Sequence, residues 1–367
     1  MIERLAAFLR HQPRSVLAAA GLGAIAVLEV VDYVAPPEVS FLLFYVGPVL
    51  FLVWFVGRAA GFLGAALTGA FWAWEDVFSP HAFGSASVAD WNVAMRLIFL
   101  VAFVWVVAEL KGALERERRA AAERLERDVR IAQEVQARLF PQRPPRSAAV
   151  DLHGLCRPAR GVAGDYYDFL DLGTGRLGLA VGDVAGKGIS AALLMASLQG
   201  ALRSHAALSP DGEPVEAVRV INAQLHARTD SRRFATFFWG VFDSRSRTLR
   251  YVNAGHNPPM LLEPDGALER LRTGGPPLGV FSEASYRQGA VEIRPGATLL
   301  VFSDGITEAP DPDGEEFGDA RLERAFRDAA PGGAASICDA VLASVFEFQA
   351  GVPPEDDMTV VAGCFPA

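Results

Sequence analysis

Four aspartates, each set in a short Gly-rich or polar turn, carry the chemistry this sequence offers. Asp165 lies in Gly-Asp-Tyr-Tyr-Asp, Asp183 in Val-Gly-Asp-Val-Ala-Gly-Lys-Gly, Asp304 in Phe-Ser-Asp-Gly, and Asp356 in Glu-Asp-Asp-Met-Thr-Val-Val. Three of the four abut apolar, β-like runs, which puts their carboxylates at the rim of a sheet. No His or Cys accompanies them at metal-ligand spacing, so the expected ion is hard and oxygen-preferring, Mg2+ or Mn2+ rather than Zn2+. A carboxylate cluster around two such ions activates water and clamps a phosphoryl group. The pattern reads as a metal-dependent hydrolase.

The elements that must position these turns are legible as a strand-rich pattern after Pro145. Strands are expected at 150–156, 166–172, 177–184, 234–242, 248–253, 259–262, 291–293, 298–302 and 358–362. Helices are expected at 190–205, 214–229, 319–328 and 334–347. Many strands with helices arriving in separate pairs fit an antiparallel α+β sandwich better than a doubly wound sheet. Gly186, Lys187 and Gly188 do not make a P-loop, because Val181 and Gly188 stand where Gly and Ser/Thr are required. The two glycines instead permit a tight turn from a strand into a helix. A formal charge of -9 with no basic stripe in the C-terminal part argues against nucleic acid as a partner. Three scattered cysteines, Cys156, Cys338 and Cys364, suit reduced thiols of a cytoplasmic domain.

Residues 1–110 have a different composition. Apolar stretches at 15–31, 41–55, 59–74 and 93–108 approach the length of bilayer-crossing helices, and the run 41–55 has no polar face. Arg4, Arg10 and Arg14 precede the first stretch, Arg58 lies between the second and third, and Lys111, Arg116, Arg118 and Arg119 follow the fourth. The other two connections, 32–40 and 75–92, are acidic or neutral, so the expectation is a four-span module with both termini cytoplasmic. Glu29 and Arg96 are the charged residues near the outer ends of the apolar runs; Glu29 reads as an interfacial charge or a functional intramembrane carboxylate, and Arg96 is expected to snorkel to the interface. Residues 111–145 form a helical linker, rich in Ala, Leu, Glu and Arg and closed by Pro141, Pro144 and Pro145. Its seam of Leu110, Leu114, Ala121, Leu125, Ala132, Val135 and Leu139 carries a stutter near Leu125 and charges at Glu117 and Asp128. It is expected to pair two copies as a coiled coil, the alternative being a single amphipathic helix lying on its own domain.

Beyond these patterns, residues 130–141 (Arg-Ile-Ala-Gln-Glu-Val-Gln-Ala-Arg-Leu-Phe-Pro), 161–168, 182–188, 251–258, 303–308, 314–318 and 356–361 resemble, in order, the motifs of SpoIIE/RsbU-type phosphatases. These are the bacterial branch of the PPM metal-dependent Ser/Thr protein phosphatases. The resemblance spans roughly residues 125–366 and implies a four-layer α/β/β/α sandwich for residues 146–367, behind the all-α four-helix transmembrane domain. By resemblance, Asp183 is similar to the ligand that bridges two Mn2+ or Mg2+ ions, and Val184 adds its backbone carbonyl. Asp165, Asp304 and Asp356 match the remaining carboxylate ligands, and Asp357 is an alternative to Asp356. Asp168 reads as a turn or capping residue. Arg160 reads as a phosphate contact or a surface arginine, and His256 as a proton donor or a turn-stabilising residue. The implied function is a phosphatase in the bacterial inner membrane, acting on a phosphorylated STAS-domain anti-sigma-factor antagonist. The competing reading is a catalytically silent, membrane-tethered binding scaffold. Four intact, clustered carboxylates speak against it.

Overall fold

The computed structural model describes residues 4, 8, 9, 11–35, 41–78, 86–229 and 233–366, leaving aside the side chains of 76–78 and 86–90. Arg10 and residues 36–40 and 79–85 of the two expected outer connections lie outside the described residues. The chain divides into two compact units, Met1–Leu125 and Glu126–Ala367.

The first unit is helical. It contains α1 (Arg14–Val34), α2 (Leu42–Phe51), a π-helical turn (Leu52–Val56), α3 (Arg58–Phe78) and the first part of α4 (Ala86–Ala137). Among the described residues, Arg14–Val34 and Trp91–Ala137 are long and apolar enough to cross a membrane, and Leu42–Val56 is apolar but shorter. Pro48 removes a donor inside α2, and the helix widens into the π turn four residues later. Gly57, at φ 140°, then reverses the chain into α3. Helices approach closely at small residues: a Cβ on Gly61 would lie 2.2 Å from Val53 Cγ2. Tyr45 and Trp72, both buried, donate to Asp32 Oδ2 at 3.2 Å each. The Arg96 guanidinium lies 5.4 Å from the Trp72 ring centroid, so this arginine stacks on an aromatic face.

The second unit is the expected sandwich. One sheet has the order β1 (Asp151–Arg157), β11 (Met358–Cys364), β10 (Thr298–Phe302), β6 (Met260–Leu262), β7 (Leu268–Arg270). The other runs β2 (Tyr166–Asp171), β3 (Arg176–Val184), β4 (Ala235–Asp243), β5 (Thr248–Ala254), β8 (Gly274–Gly275), with β9 (Gly289–Glu292) also on β5. Alternate residues build separate layers, as the strand period of two requires. On β3, Leu177, Leu179 and Val181 fill the layer between the sheets, while Ala180 and Val184 face outward to α5 (Ile189–Leu208) and α6 (Pro214–Arg228). On β10, Leu299 and Val301 point between the sheets. Leu300 and Phe302 meet α8 (Gly318–Ala329) and α9 (Ala334–Gln349) on the opposite outer face; the four-residue α7 (Asp304–Thr307) follows β10 directly.

Two strands escape the sequence reading, β7 and β8; the second is a Gly-Gly pair lying parallel to β5. Asp168 also differs from expectation. It is not a turn residue but sits fully buried inside β2, where Arg203 of α5 grips it with two nitrogens at 2.7 and 2.6 Å and Tyr166 donates at 2.8 Å. This fork fixes α5 on the sheet.

Candidate active site

Strand pairing brings the acidic turns together two by two, one pair in each sheet. β2 begins where antiparallel β3 ends, with Tyr166 opposite Gly182, so Asp165 and Asp183 are neighbours. β10 ends where β11 begins, with Phe302 opposite Val360, so Asp304 meets Asp356 and Asp357. Asp183 shares strand parity with Val181 and therefore projects into the space between the sheets. The next residue, Val184, has its carbonyl oxygen 3.1 Å from where a Cβ on Gly164 would stand. Gly186 and Gly188, at φ 113° and 75°, make the left-handed turn from β3 into α5.

Several residues hold these turns in place. Ser303 is fully buried; its hydroxyl donates to Asp165 Oδ2 at 2.7 Å and accepts from the Thr359 N–H at 2.9 Å. One side chain thus ties the start of β2 to the ends of β10 and β11. Asp357 is spent on the backbone: Oδ1 accepts from the Ala159 N–H at 2.8 Å and Oδ2 from the Gly164 N–H at 2.6 Å. Asp356, by contrast, is part-exposed and its Oδ2 lies 2.8 Å from Lys187 Nζ, which also donates to the Glu355 carbonyl at 2.7 Å. Gln136, in the last turn of α4, clamps the loop before Asp165 with both amide ends. Its Nε2 donates to the Ala163 carbonyl at 2.7 Å, and its Oε1 accepts from the Ala163 N–H at 2.8 Å. Gly161 in the same loop packs on Val129 and Gln133 of α4. None of Ser303, Lys187 and Gln136 was singled out by spacing. The available signal for all three was their place inside the quoted motifs 130–141, 182–188 and 303–308.

The electrostatics are those of crowded carboxylates. Burial, and then the charges of Asp304, Asp356 and Asp357, push Asp183 up to about 7. Burial and the Asp183 charge hold Asp165 well above the usual carboxylate range, against the bond from Ser303. Asp304 is raised by burial and by Asp356. Among the described residues no three His, Cys, Asp or Glu side chains close on one point at ligating distance, and Asp356 is turned to Lys187. The donor set nonetheless fits hard cations: it is all oxygen, anionic, and electrostatically unfavourable without positive charge beside it.

His256 is buried, with Nδ1 2.9 Å from the Thr236 hydroxyl and its backbone N–H bound to Asn253 Oδ1 at 2.8 Å. Burial lowers it to about 4, which disfavours the cationic form at neutral pH. Arg160 is exposed on the loop whose neighbouring Ala159 N–H meets Asp357.

Residues 173–366, more than half of the chain, match the family model for Stage II sporulation protein E (SpoIIE). Asp183, Asp304, Asp356 and Asp357 fall inside that span and Asp165 just before it. Protein IcfG of Synechocystis sp. is 29% identical over 245 residues, covering 60% of this chain and 38% of that protein. Phosphoserine phosphatase RsbU of Bacillus subtilis is 29% identical over 192 residues, covering 52% of this chain and 56% of that one. The chain thus spans about half or less of the length of these curated relatives. Among solved structures, the SiaA-PP2C domain of Pseudomonas aeruginosa superposes with a TM-score of 0.59 at 21% identity, over 67% of this chain and 99% of that domain. That likeness is one of fold.

Proposed function

The chain belongs to the SpoIIE family, the SpoIIE/RsbU-type PPM phosphatases of bacterial signalling, and from that premise we propose a membrane-anchored, divalent-metal-dependent phosphoserine/phosphothreonine protein phosphatase. The observation that carries this reading is that the Asp165–Asp183 pair of one sheet and the Asp304–Asp356 pair of the other lie at one rim, joined through Ser303 and within charge range of Asp183. In the proposal Asp183 serves both ions, with the Val184 carbonyl, Asp165, Asp304 and Asp356 completing the set of ligands. Bound Mn2+ or Mg2+ would supply Lewis acidity and a water of lowered pKa. The chain's own contribution is positional. Ser303 orients the Asp165 carboxylate, Asp357 fixes the loop 159–164, and Lys187 counters the charge of Asp356. Phosphoryl transfer asks little more of a protein than such placement.

The proposed substrate is a phosphorylated STAS-domain anti-sigma-factor antagonist. The test is release of phosphate from candidate phospho-STAS proteins by the full chain with Mn2+, Mg2+ or excess EDTA. Turnover that survives EDTA sinks the metal mechanism, and tight binding without turnover favours a scaffold.

Asp356 and Asp357 separate under mutation. Asp357→Asn is expected to destabilise the fold by about 2–3 kcal/mol, because an amide can accept only one of two backbone N–H groups that now bond to a carboxylate. Asp356→Asn, whose lost ion pair is half exposed, should change stability by less than ~1 kcal/mol but weaken Mn2+ binding. Thermal melts and calorimetric Mn2+ titration decide this; the reverse pattern would make Asp357 the ligand.

The four-span topology with cytoplasmic termini is supported by the two long apolar helices and the charge bias. External labelling of a cysteine at Arg119 would overturn it. Homodimerisation through α4 is supported by Leu114, Leu125 and Val135, which are exposed along the helix. The clamp of Gln136 on Ala163 supports a linker that governs the ligand loop. Gln136→Ala should therefore reduce kcat or metal affinity roughly 10-fold or more, as loss of a residue supporting a ligand does. Unchanged values of both would leave α4 a passive tether.

A further inference from the structure

Away from the acidic rim, the helical unit contains a cavity of about 420 Å³, within the roughly 300–1,000 Å³ range of small-molecule sites. Arg14 opens α1, Trp54 and Phe55 come from the π turn, and Lys111, Glu115 and Arg118 follow one another along α4; all six line it. Three cations thus face one anion. Lys111 Nζ donates to the Trp54 carbonyl at 2.6 Å and lies 3.9 Å from Glu115, so it braces the wall. Arg14 and Arg118 have no ion-pair partner among the described residues. The 21-residue α1 begins there with no side-chain cap and no acidic residue in its first turn, which adds its positive end to the same cavity.

Position specifies the ligand further. Arg14 immediately precedes one apolar run, Lys111 follows another, and Trp54 and Phe55 end a third. On the membrane reading proposed above, on which this inference rests, all three are where the chain leaves the bilayer on its cytoplasmic side. Headgroup phosphates lie at that depth, and acyl chains begin just inside it, level with the aromatic wall and buried Leu17. A soluble anion would leave the apolar wall unused. We infer that this cavity is a binding site for the headgroup of an anionic phospholipid of the cytoplasmic leaflet. Bound there, the lipid bridges α1, the π turn and α4, the helix that continues to Gln136.

The test uses the full chain in phosphatidylcholine vesicles with and without phosphatidylglycerol, read by flotation and by native mass spectrometry of retained lipid. The variant is R14Q/K111Q/R118Q, with R119Q/R124Q as a control removing two α4 charges that do not line the cavity. Wild type and control should retain phosphatidylglycerol over phosphatidylcholine, and the triple variant should lose about tenfold or more of that preference while keeping its circular dichroism. Equal retention by triple variant and wild type, or no preference in wild type, overturns the site. Flotation with neutral vesicles separates the two readings: a wild-type chain that floats without lipid preference refutes only the inference, whereas one that never floats refutes the membrane reading and the inference with it. Inorganic phosphate that protects the detergent-solubilised chain from thermal unfolding, with no lipid retained, would overturn the lipid assignment in favour of a soluble anion.

Discussion

Asp183→Asn is expected to lower phosphatase turnover by roughly 10³-fold or more, while raising the thermal stability of the metal-free protein. The first half follows from position. Asp183 is the acidic residue whose charge environment includes Asp304, Asp356 and Asp357 together, and Asp165 lies beside it across the β2–β3 pair. Removing one preorganised hydrogen-bond donor from a catalytic site already costs ~10²–10³ in rate. A carboxylate serving both proposed ions should cost at least as much. The second half follows from linkage. The folded state holds the Asp183 proton up to about 7, against an ordinary value of 3.8, so it binds that proton more tightly than the unfolded chain does. The resulting stability is complete below the unfolded value and is lost as pH rises through the folded one. Above neutrality the metal-free wild type therefore carries the cost of a buried charge set beside Asp304, Asp356 and Asp357, and the neutral amide removes it. Melting curves in EDTA should place the variant above wild type at about pH 8, with the gap closing near pH 4. Added Mn2+ should raise the wild-type melting temperature and leave the variant unmoved. A variant less stable than wild type at high pH in EDTA would mean that Asp183 is held by favourable contacts and not by a cluster awaiting cations.

Much of the rim was legible because each acidic turn is short and joined to a strand whose period of two is unambiguous. Val181-Gly-Asp183 and Phe302-Ser-Asp304 announce a strand that ends in a carboxylate. Partners far apart in sequence were not legible. Asp168 looks like a turn residue until Arg203, 35 positions away, is seen gripping it. Asp356 and Asp357 are equivalent as letters and differ only once the backbone donors of Ala159 and Gly164 are placed. The Gly-Gly strand β8 has no side chains to write a period. Although composition changes from apolar to charged near residue 109, α4 runs unbroken for 52 residues, because helix propensity is blind to whether a face is greasy or charged.

Gly305→Ala should cost about 10²-fold in turnover without altering a single carboxylate. Gly305 follows Asp304 in the first turn of α7, and the backbone behind it leaves no room. A Cβ there would lie 2.1 Å from the Asp357 carbonyl oxygen and 3.0 Å from its carbonyl carbon. A backbone oxygen cannot swing aside as a side chain can, so the two turns must part. Contact distances put the displacement on the order of 1 Å, and misplacement of that size costs roughly 10² in rate. The same shift pulls on Ser303, whose hydroxyl joins Asp165 to the Thr359 N–H, so it reaches the β2 side of the rim too. Overpacking of this kind destabilises by about 1–3 kcal/mol, which leaves a folded protein to assay. Gly200→Ala is the control: it lies inside α5 with nothing within 4 Å of the new methyl, and should be neutral or slightly stabilising. Steady-state kinetics across a Mn2+ titration, beside thermal melts of both variants, separate misplacement from unfolding. Wild-type turnover in Gly305→Ala would mean that the Asp304 and Asp356 turns move apart freely, and that the spacing between them is not what organises the site.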